Sequence, residues 1–325
     1  MPARHHQPLS AERWTRGSDG RAEAVAIGKF AREVEYLRPP PSPLLARFDS
    51  WLNEGFELAA EQLGTAWPAL FGMGAPYGFV WRAGGEGGAQ SFCGVLAPSE
   101  DAVGRAYPLA LGALVSSQRL EGGLHVAPLA IGEFLDVTYA ALAEARAGSL
   151  SRTETEERMA GASFPSEVTL DEVAGDYQEW TEATDADEGW ATAFARDDAA
   201  LVAREVLARL RSAWRAEAPL AVRLPVGEAP AGASALWLDA LERSLGPSAL
   251  ASALWAVYDS ALFVAIGAPP ANLLTSLWAR GVANPAVIDV ADESWRRSLP
   301  ASPHTPRTKC SMHSFLTTLS TPARR

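Results

Sequence analysis

Apolar and polar positions in the first part of the chain follow patterns that predict a strand and then a long helix. The apolar run Val25–Phe30 indicates a strand. A proline cluster breaks the pattern, and apolar side chains then recur at helical spacing over Leu44–Leu63. Ser42 and Pro43 suit the start of a helix and Gly64 suits its end, so this helix has both boundary signals.

Three apolar runs follow and predict a set of strands. Tyr77–Arg82 and Gln90–Ala97 flank a loop, Gly84–Gly88, that contains four glycines. A two-strand hairpin explains this loop by turn geometry, without phosphate binding. Tyr107–Val115 is apolar throughout and predicts a further, buried strand.

Two longer segments have the period of amphipathic helices. Ile131–Ala147 ends at Gly148, and Ala199–Trp214 has the same spacing of apolar side chains. The inner faces predicted for them comprise Phe134, Leu135, Val137 and Leu142 in the first, and Leu201, Val202, Val206, Leu207 and Leu210 in the second.

Shorter apolar runs in the last third predict alternating strands and helices. Leu220–Leu224, Ser234–Leu238 and Leu262–Ile266 fit strands, whereas Ser248–Tyr258 and Pro270–Trp278 fit helices. Such alternation suggests a sheet covered by helices. No internal repeat or linker divides the middle of the chain into independent domains.

Charge divides the chain into regions. Residues 1–23 are polar and without period, which predicts a disordered leader, and residues 24–294 form the expected domain. Residues 154–190 carry twelve acids and one base, and predict a solvated, partly mobile insertion that is either a loop anchored by its aromatic side chains or an interaction surface. Residues 295–325 form a basic tail rich in Ser, Thr and Pro, most simply a solvated one.

Composition excludes several classes of protein. The formal net charge of −11 argues against a nucleic-acid-binding surface, which needs clustered Lys and Arg. Two cysteines in 325 residues argue against a disulfide scaffold. We find no apolar segment of signal-peptide or membrane-span length, so the expected location is the cytoplasm.

The sequence lacks the common catalytic motifs. No Gly-x-Ser-x-Gly, His-Glu-x-x-His or Cys-x-x-Cys pattern occurs, and Gly28-Lys29 lacks the upstream glycine of a phosphate-binding loop. His125 is the one histidine outside the two tails, so a multi-histidine metal site is not expected. The prediction is that the chain has no catalytic residues, no metal and no cofactor.

The run VLAPSEDAVGRAYPLALGAL, from Val95 to Leu114, is the most informative part of the chain. Ser99 and Asp101 are good turn residues, because their side chains accept hydrogen bonds from nearby amides. Gly104 permits a positive φ, and Arg105 can reach back to Asp101. The residues therefore fit a turn-shaping role, a partner-binding surface, or, least well, catalysis by a serine that has no adjacent base.

This run resembles the signature of the TagF (ImpM) family, which is associated with bacterial type VI secretion. The family pattern is close to Pro-Ser-Val-Asp-Arg-Val-Gly-Arg-x-Phe-Pro-Leu, and the chain departs from it at Glu100, Ala102 and Tyr107. Two other segments carry the same resemblance. They are Val25–Arg38, where Val34 and Glu35 replace a Gly-Asp pair of the family, and Phe48–Trp67.

The resemblance implies a single compact α/β domain, a three-layer αβα sandwich with a mixed, largely antiparallel sheet. It also implies a cytoplasmic accessory factor without enzymatic activity, which represses type VI secretion after translation by binding a forkhead-associated scaffold protein. An assembly adaptor of the same system and a hydrolase using Ser99 and Asp101 are the alternatives. The candidate protein-binding or loop-shaping residues are Ser99, Asp101, Gly104, Arg105, Tyr107, Lys29 and Arg32.

Overall fold

The computed structural model describes residues 20–21, 23–82, 90–116, 120, 123–214, 220–227, 229–246, 249–256, 261–279, 281–292, 295 and 309–320. Its N-terminal elements are β1 (Gly20–Arg21), β2 (Glu23–Gly28), α1 (Pro43–Leu63), α2 (Trp67–Gly72), β3 (Tyr77–Arg82), β4 (Gln90–Glu100), β5 (Ala106–Ser116), α3 (Ala127–Ala130) and α4 (Gly132–Arg146). The later elements are α5 (Arg152–Ala160), β6 (Ser163–Phe164), α6 (Glu167–Ala183), α7 (Ala186–Phe194), α8 (Ala199–Trp214), β7 (Leu220–Pro225), α9 (Pro230–Leu245), β8 (Leu250–Ala256), β9 (Ala261–Ile266), α10 (Leu273–Trp278), β10 (Val287–Asp289) and α11 (Met312–Leu319).

One eight-stranded sheet organises the described part of the chain. Its strand order is β10-β7-β9-β8-β3-β4-β5-β2, and β10 pairs with β7 in parallel. The remaining neighbours in the sheet are antiparallel. The short strands β1 and β6 pair separately, also antiparallel. The sheet is therefore mixed and largely antiparallel, as predicted.

Helices cover both faces of this sheet. On one face α1, α2 and α10 bury an aromatic cluster, in which Phe48 stacks on Phe79 at 5.2 Å and meets Trp81 and Phe92 edge-on at 5.1 Å. On the other face α4, α7, α8, α9 and α11 cover the aliphatic side of the same strands. The two covered faces make a three-layer αβα sandwich, so the predicted fold class is confirmed.

The hairpin of β4 and β5 positions the signature run. Its strands pair over their whole length, from Gln90 opposite Ser116 to Glu100 opposite Ala106. The chain reverses through residues 101–105, which join the ends of the two strands. Both strands were predicted, and both are longer than their apolar runs. The loop Gly84–Gly88 lies outside the described residues.

Two predicted elements of the last third are wrong. Ser234–Leu238, predicted as a strand, lies inside α9, and Ser248–Tyr258, predicted as a helix, contains β8. Both segments are apolar runs without a polar face. Every residue from Gly232 to Glu242 of α9 is buried, so no exposed position marks the helical period.

The acidic region is helical, and its interpretation as a loop is wrong. Residues 154–190 lie largely in α5, α6 and α7. Anchoring by aromatic side chains is observed: Phe164, Tyr177 and Trp190 are buried, and the Tyr177 hydroxyl donates to Asp239 at 3.1 Å. The acids of α6 whose side chains the structure describes lie on its solvent side, which reconciles the composition with the packing. The exposed acids are Asp171, Glu172, Asp176, Glu179 and Glu182.

Part of the basic tail also belongs to the fold. Helix α11 begins after Ser311, whose hydroxyl accepts the Ser314 amide at 3.2 Å. Its apolar face, which includes Phe315 and Leu316, is buried against the core. For these residues the solvated-tail interpretation is wrong. Residues 296–308 and 321–325 lie outside the described part, as do residues 1–19 and 22 of the predicted leader.

Two side chains assigned to inner helix faces are in fact accessible. Val137 in α4 is 39 % exposed and Leu201 in α8 is 43 % exposed. In α4 the buried face includes Thr138, the residue after Val137, and Ala141. The other predicted inner-face residues of these two helices are buried.

Candidate functional site

The carboxylate of Asp101 holds the loop between β4 and β5 together. Its Oδ1 accepts the amides of Val103 at 3.1 Å and Arg105 at 2.9 Å. Its Oδ2 receives the Arg105 Nε at 2.6 Å. The Asp101 amide donates to the Arg105 carbonyl at 3.2 Å, and the Gly104 amide donates to the Asp101 carbonyl at 2.9 Å. One buried acid thus organises a five-residue turn, and the predicted Asp101–Arg105 contact is present.

The charge of Asp101 is strongly stabilised. Burial alone would raise the pKa of the Asp101 carboxyl. Hydrogen bonds from the amide and guanidinium of Arg105, from Lys29 and from the Val103 amide outweigh burial and hold that pKa well below its usual range. The side chain is inaccessible to solvent, so Asp101 shapes the loop from its interior.

The opening segment, residues 29–38, is attached to this loop. Lys29 Nζ lies 3.1 Å from Asp101 Oδ2. The Ala102 amide donates to the Glu33 carbonyl at 2.9 Å, and Arg105 Nη2 donates to the Val34 carbonyl at 2.6 Å. Two of the three segments that carry the family resemblance therefore form one bonded unit.

Two glycines allow this arrangement. Gly104 has φ +80° with open space around it, so backbone conformation alone favours glycine there. Gly28 has φ +120°, and a Cβ at this position would lie 1.9 Å from the Pro108 carbonyl oxygen. Gly28 also exchanges two backbone hydrogen bonds with Leu37, at 3.1 and 2.9 Å, which return the opening segment to the edge of the sheet.

Helix α1 contacts the loop's neighbouring residues Tyr36 and Tyr107 through hydrogen bonds. The Tyr107 hydroxyl donates to Asn53 Oδ1 at 2.7 Å, and the Tyr36 hydroxyl donates to Asp49. The two rings meet edge-on at 5.1 Å. Burial, together with the negative charge of Asp49, raises the pKa of both phenols well above the ordinary value, so both remain protonated donors. The third family segment thus contacts the other two.

The side chains of two predicted site residues form no hydrogen bond or ion pair with the described residues of this cluster. Ser99 is a residue of β4 opposite Tyr107, so its prediction as a turn residue is wrong. Its buried hydroxyl has no hydrogen-bond partner among the described residues, and hence no base to activate it. Arg32 is exposed, with its nearest carboxylate oxygen, on Glu154, 4.0 Å away.

Residues outside the predicted set complete the surface. Val34 is 51 % exposed and Val103 is 63 % exposed, beside the half-exposed Arg105. Sequence reasoning passed over both valines because an isolated apolar residue in a polar loop is normal. It also missed Asn53, although Asp49 and Asn53 stand four residues apart in α1 and so share one face.

His125 belongs to a separate polar cluster. Its Nδ1 lies 3.2 Å from Glu242 Oε2, and the Leu124 amide donates to Glu242 Oε1 at 2.9 Å. Arg82 Nη1 is 3.7 Å from the same carboxylate. These contacts join the segment before α3 to α9 and to the end of β3, which is a structural role.

The described residues contain no group of three or more His, Cys, Asp or Glu placed to hold a metal ion. Within them, no single helix is long and apolar enough to cross a membrane. The bent pair 124–130 and 132–146, at 66°, reaches that length and composition only when its two helices are taken together.

Comparison with known proteins places this region in a family. No curated protein matches the chain. A crystal structure of PA0076 from Pseudomonas aeruginosa PAO1 is similar with a TM-score of 0.48 and 19 % identity, covering 81 % of this chain and 97 % of that one. Residues 26–161 match the TagF N-terminal domain, described as type VI secretion system-associated. The predicted family resemblance is thereby confirmed for residues 26–161, which carry the TagF N-terminal domain of type VI secretion-associated proteins.

Proposed function

We propose that this protein is a non-enzymatic, cytoplasmic accessory factor that restrains type VI secretion after translation by binding a forkhead-associated scaffold protein. The observation that carries the proposal is the hydrogen-bonded loop of residues 101–105, which is attached to the opening segment and lies beside Tyr107, where helix α1 joins the other two family-matching segments. A loop that is already ordered loses little conformational entropy on binding, and such loops are suited to recognition.

The charges at the loop favour recognition over catalysis. Lys29 and Arg105 both contact the Asp101 carboxylate, so they stabilise the loop. The Ser99 hydroxyl has no hydrogen-bonded base within the described residues. A nucleophilic mechanism needs such a base within hydrogen-bond reach.

Binding to the purified scaffold tests the proposal directly. We expect Arg105→Ala to weaken binding at least tenfold by calorimetry, because it removes the guanidinium bonds to the Asp101 carboxylate and to the Val34 carbonyl. The matched control is Arg152→Ala, since Arg152 also forms an i,i+4 ion pair on a half-exposed side chain, 2.8 Å from Glu156. The control should bind within twofold of the wild type.

Circular dichroism must show that both variants are folded. Failure of the wild-type chain to associate with the scaffold at micromolar concentrations would remove the mechanism. Equal binding by the wild type and Arg105→Ala would assign the contact to another surface.

A gene deletion separates a repressor from an assembly adaptor. Loss of a repressor should raise secretion of the tube protein, and loss of an adaptor should lower it. Complementation with Arg105→Ala should leave secretion raised, whereas Arg152→Ala should restore repression. Lowered secretion in the deletion strain would favour the adaptor.

A further inference from the structure

We infer that Val34 and Val103 are the apolar anchors of the docking surface, and that they enter a pocket bordered by Lys or Arg side chains on the scaffold. This inference rests on the proposed function and names the chemistry of its partner. The two valines are among the most exposed large apolar side chains of the described residues, at 51 % and 63 %. They come from segments nearly seventy residues apart in sequence.

The fold brings these valines together on fixed backbone. The carbonyl of Val34 accepts Arg105 Nη2 at 2.6 Å, and the amide of Val103 donates to Asp101 Oδ1 at 3.1 Å. Between them, the Ala102 amide donates to the Glu33 carbonyl at 2.9 Å. Exposed β-branched side chains on restrained backbone lose little freedom on binding, as expected of an anchor.

The charge around the valines indicates the partner's rim. Glu33, Glu35 and Glu100 flank them in sequence and form no ion pair with any described residue. The nearby cations Lys29 and Arg105 both lie against Asp101. Arg32 lies 4.0 Å from Glu154, and Arg38 is the one cation of residues 29–38 and 100–105 without an ion pair among the described residues. Three unpaired acids therefore outnumber one unpaired cation beside the valines, and this excess of negative charge complements a basic rim.

The first experiment removes the apolar character of the anchors. The double variant Val34→Thr/Val103→Thr keeps the branched shape and replaces a methyl group with a hydroxyl at each site. We expect its affinity for the purified scaffold to fall at least tenfold. Val137→Thr is the matched control, because Val137 is 39 % exposed on α4, outside this surface, and it should bind like the wild type.

The second experiment removes the acidic rim. Glu33→Gln/Glu35→Gln/Glu100→Gln should lower the association rate constant about threefold to tenfold and flatten its dependence on salt between about 50 and about 500 mM NaCl. A control variant with the same change in net charge has three exposed acids of α6 replaced by their amides. Its association rate constant should stay within about twofold of the wild-type value. These acids are Asp171, Asp176 and Glu179.

The outcomes separate this inference from the proposed function. If the scaffold binds the wild type and the double valine variant equally, the inference is wrong and the proposed function stands. If the valines matter but the Gln variant binds faster, the partner's rim is acidic and the stated chemistry is wrong. If the wild type does not bind the scaffold, both the inference and the proposed function are wrong. Self-association lost in the valine variant would assign the surface to a second copy and overturn the inference.

Discussion

Replacement of Gly28 by Ala should be among the most damaging small changes near the candidate site. The new Cβ would lie 1.9 Å from the Pro108 carbonyl oxygen, 2.9 Å from its carbon and 3.0 Å from Leu109 Cα. All three atoms belong to the backbone of β5, which cannot rotate away as a side chain can. Gly28 pairs with Leu109 in the sheet and is bonded to Leu37 on its other side.

The cost of Gly28→Ala has two parts. A non-glycine residue at positive φ costs about 1–3 kcal/mol. Relief of the clash requires β2 and β5 to separate by about 1 Å, and loss of two hydrogen bonds between these paired strands would cost about 0.5–1.5 kcal/mol each. The sum, about 2–6 kcal/mol, is a large part of a typical total stability of about 5–15 kcal/mol.

Two other glycines separate these parts. Gly104→Ala meets positive φ in open space and should cost about 1–2 kcal/mol. Gly175, in the exposed face of α6, has an ordinary helical φ and open space, so Gly175→Ala should stabilise by about 0.5–1 kcal/mol. Urea unfolding followed by tryptophan fluorescence should therefore rank the midpoints as Gly175→Ala, wild type, Gly104→Ala and Gly28→Ala, from highest to lowest.

The order of the two positive-φ variants is the decisive result. If Gly28→Ala is as stable as Gly104→Ala, the close approach of β2 to β5 is not a constraint, and the reasoning fails. A Gly28→Ala protein that does not accumulate in soluble form agrees with the prediction, while Gly104→Ala still measures the cost of φ alone.

Three further predictions concern charge, packing and thiol reactivity. Asp101→Asn should be less stable than the wild type at pH 7. Because folding lowers the pKa of Asp101, the difference in urea midpoint between the two proteins should persist down to about pH 4 and close below it. A difference that widens on acidification would contradict this prediction. Phe315→Ala should lower the free energy of unfolding in urea by about 3–5 kcal/mol, because the ring is 2 % exposed. Thr317 is exposed on the same helix, so Thr317→Ala should change that free energy by no more than about 0.5 kcal/mol. Equal values for the two variants would mean that α11 does not pack on the core. Burial raises the pKa of the Cys93 thiol to about 12. An aromatic disulfide reagent should therefore label the half-buried Cys310 in the native protein, and Cys93 only after unfolding. Labelling of Cys93 in the native protein would show that the core around β4 opens.

The elements predicted correctly are those with a visible boundary or a polar face. Helix α1 shows apolar spacing, a first-turn proline and a terminal glycine, and its predicted span is nearly the observed one. In α9 and β8 both faces are buried, and an apolar run without a polar face fits a helix and a strand equally well. Tertiary burial, invisible in the sequence, decided between them.

The prediction for the acidic region, residues 154–190, was wrong for a different reason. Its composition indicated a solvated loop, yet Ser151 and Glu154 form a capping box at the start of α5. In α6, Leu170, Val173 and Tyr177 also recur at helical spacing and are buried. The local signals for helices were present, and giving composition precedence over capping and period produced the error.

At the candidate site, the sequence by itself determined the local turn. Asp101, Gly104 and Arg105 stand close enough in the chain for a short turn to join them, and the family resemblance followed from the same run. Only the tertiary structure decided that Lys29 and the Val34 carbonyl reach this turn, 76 and 71 residues away in sequence, and that Asn53 supports Tyr107. Contacts at such separations depend on β2 pairing with β5 and on α1 covering the sheet, which no local pattern specifies.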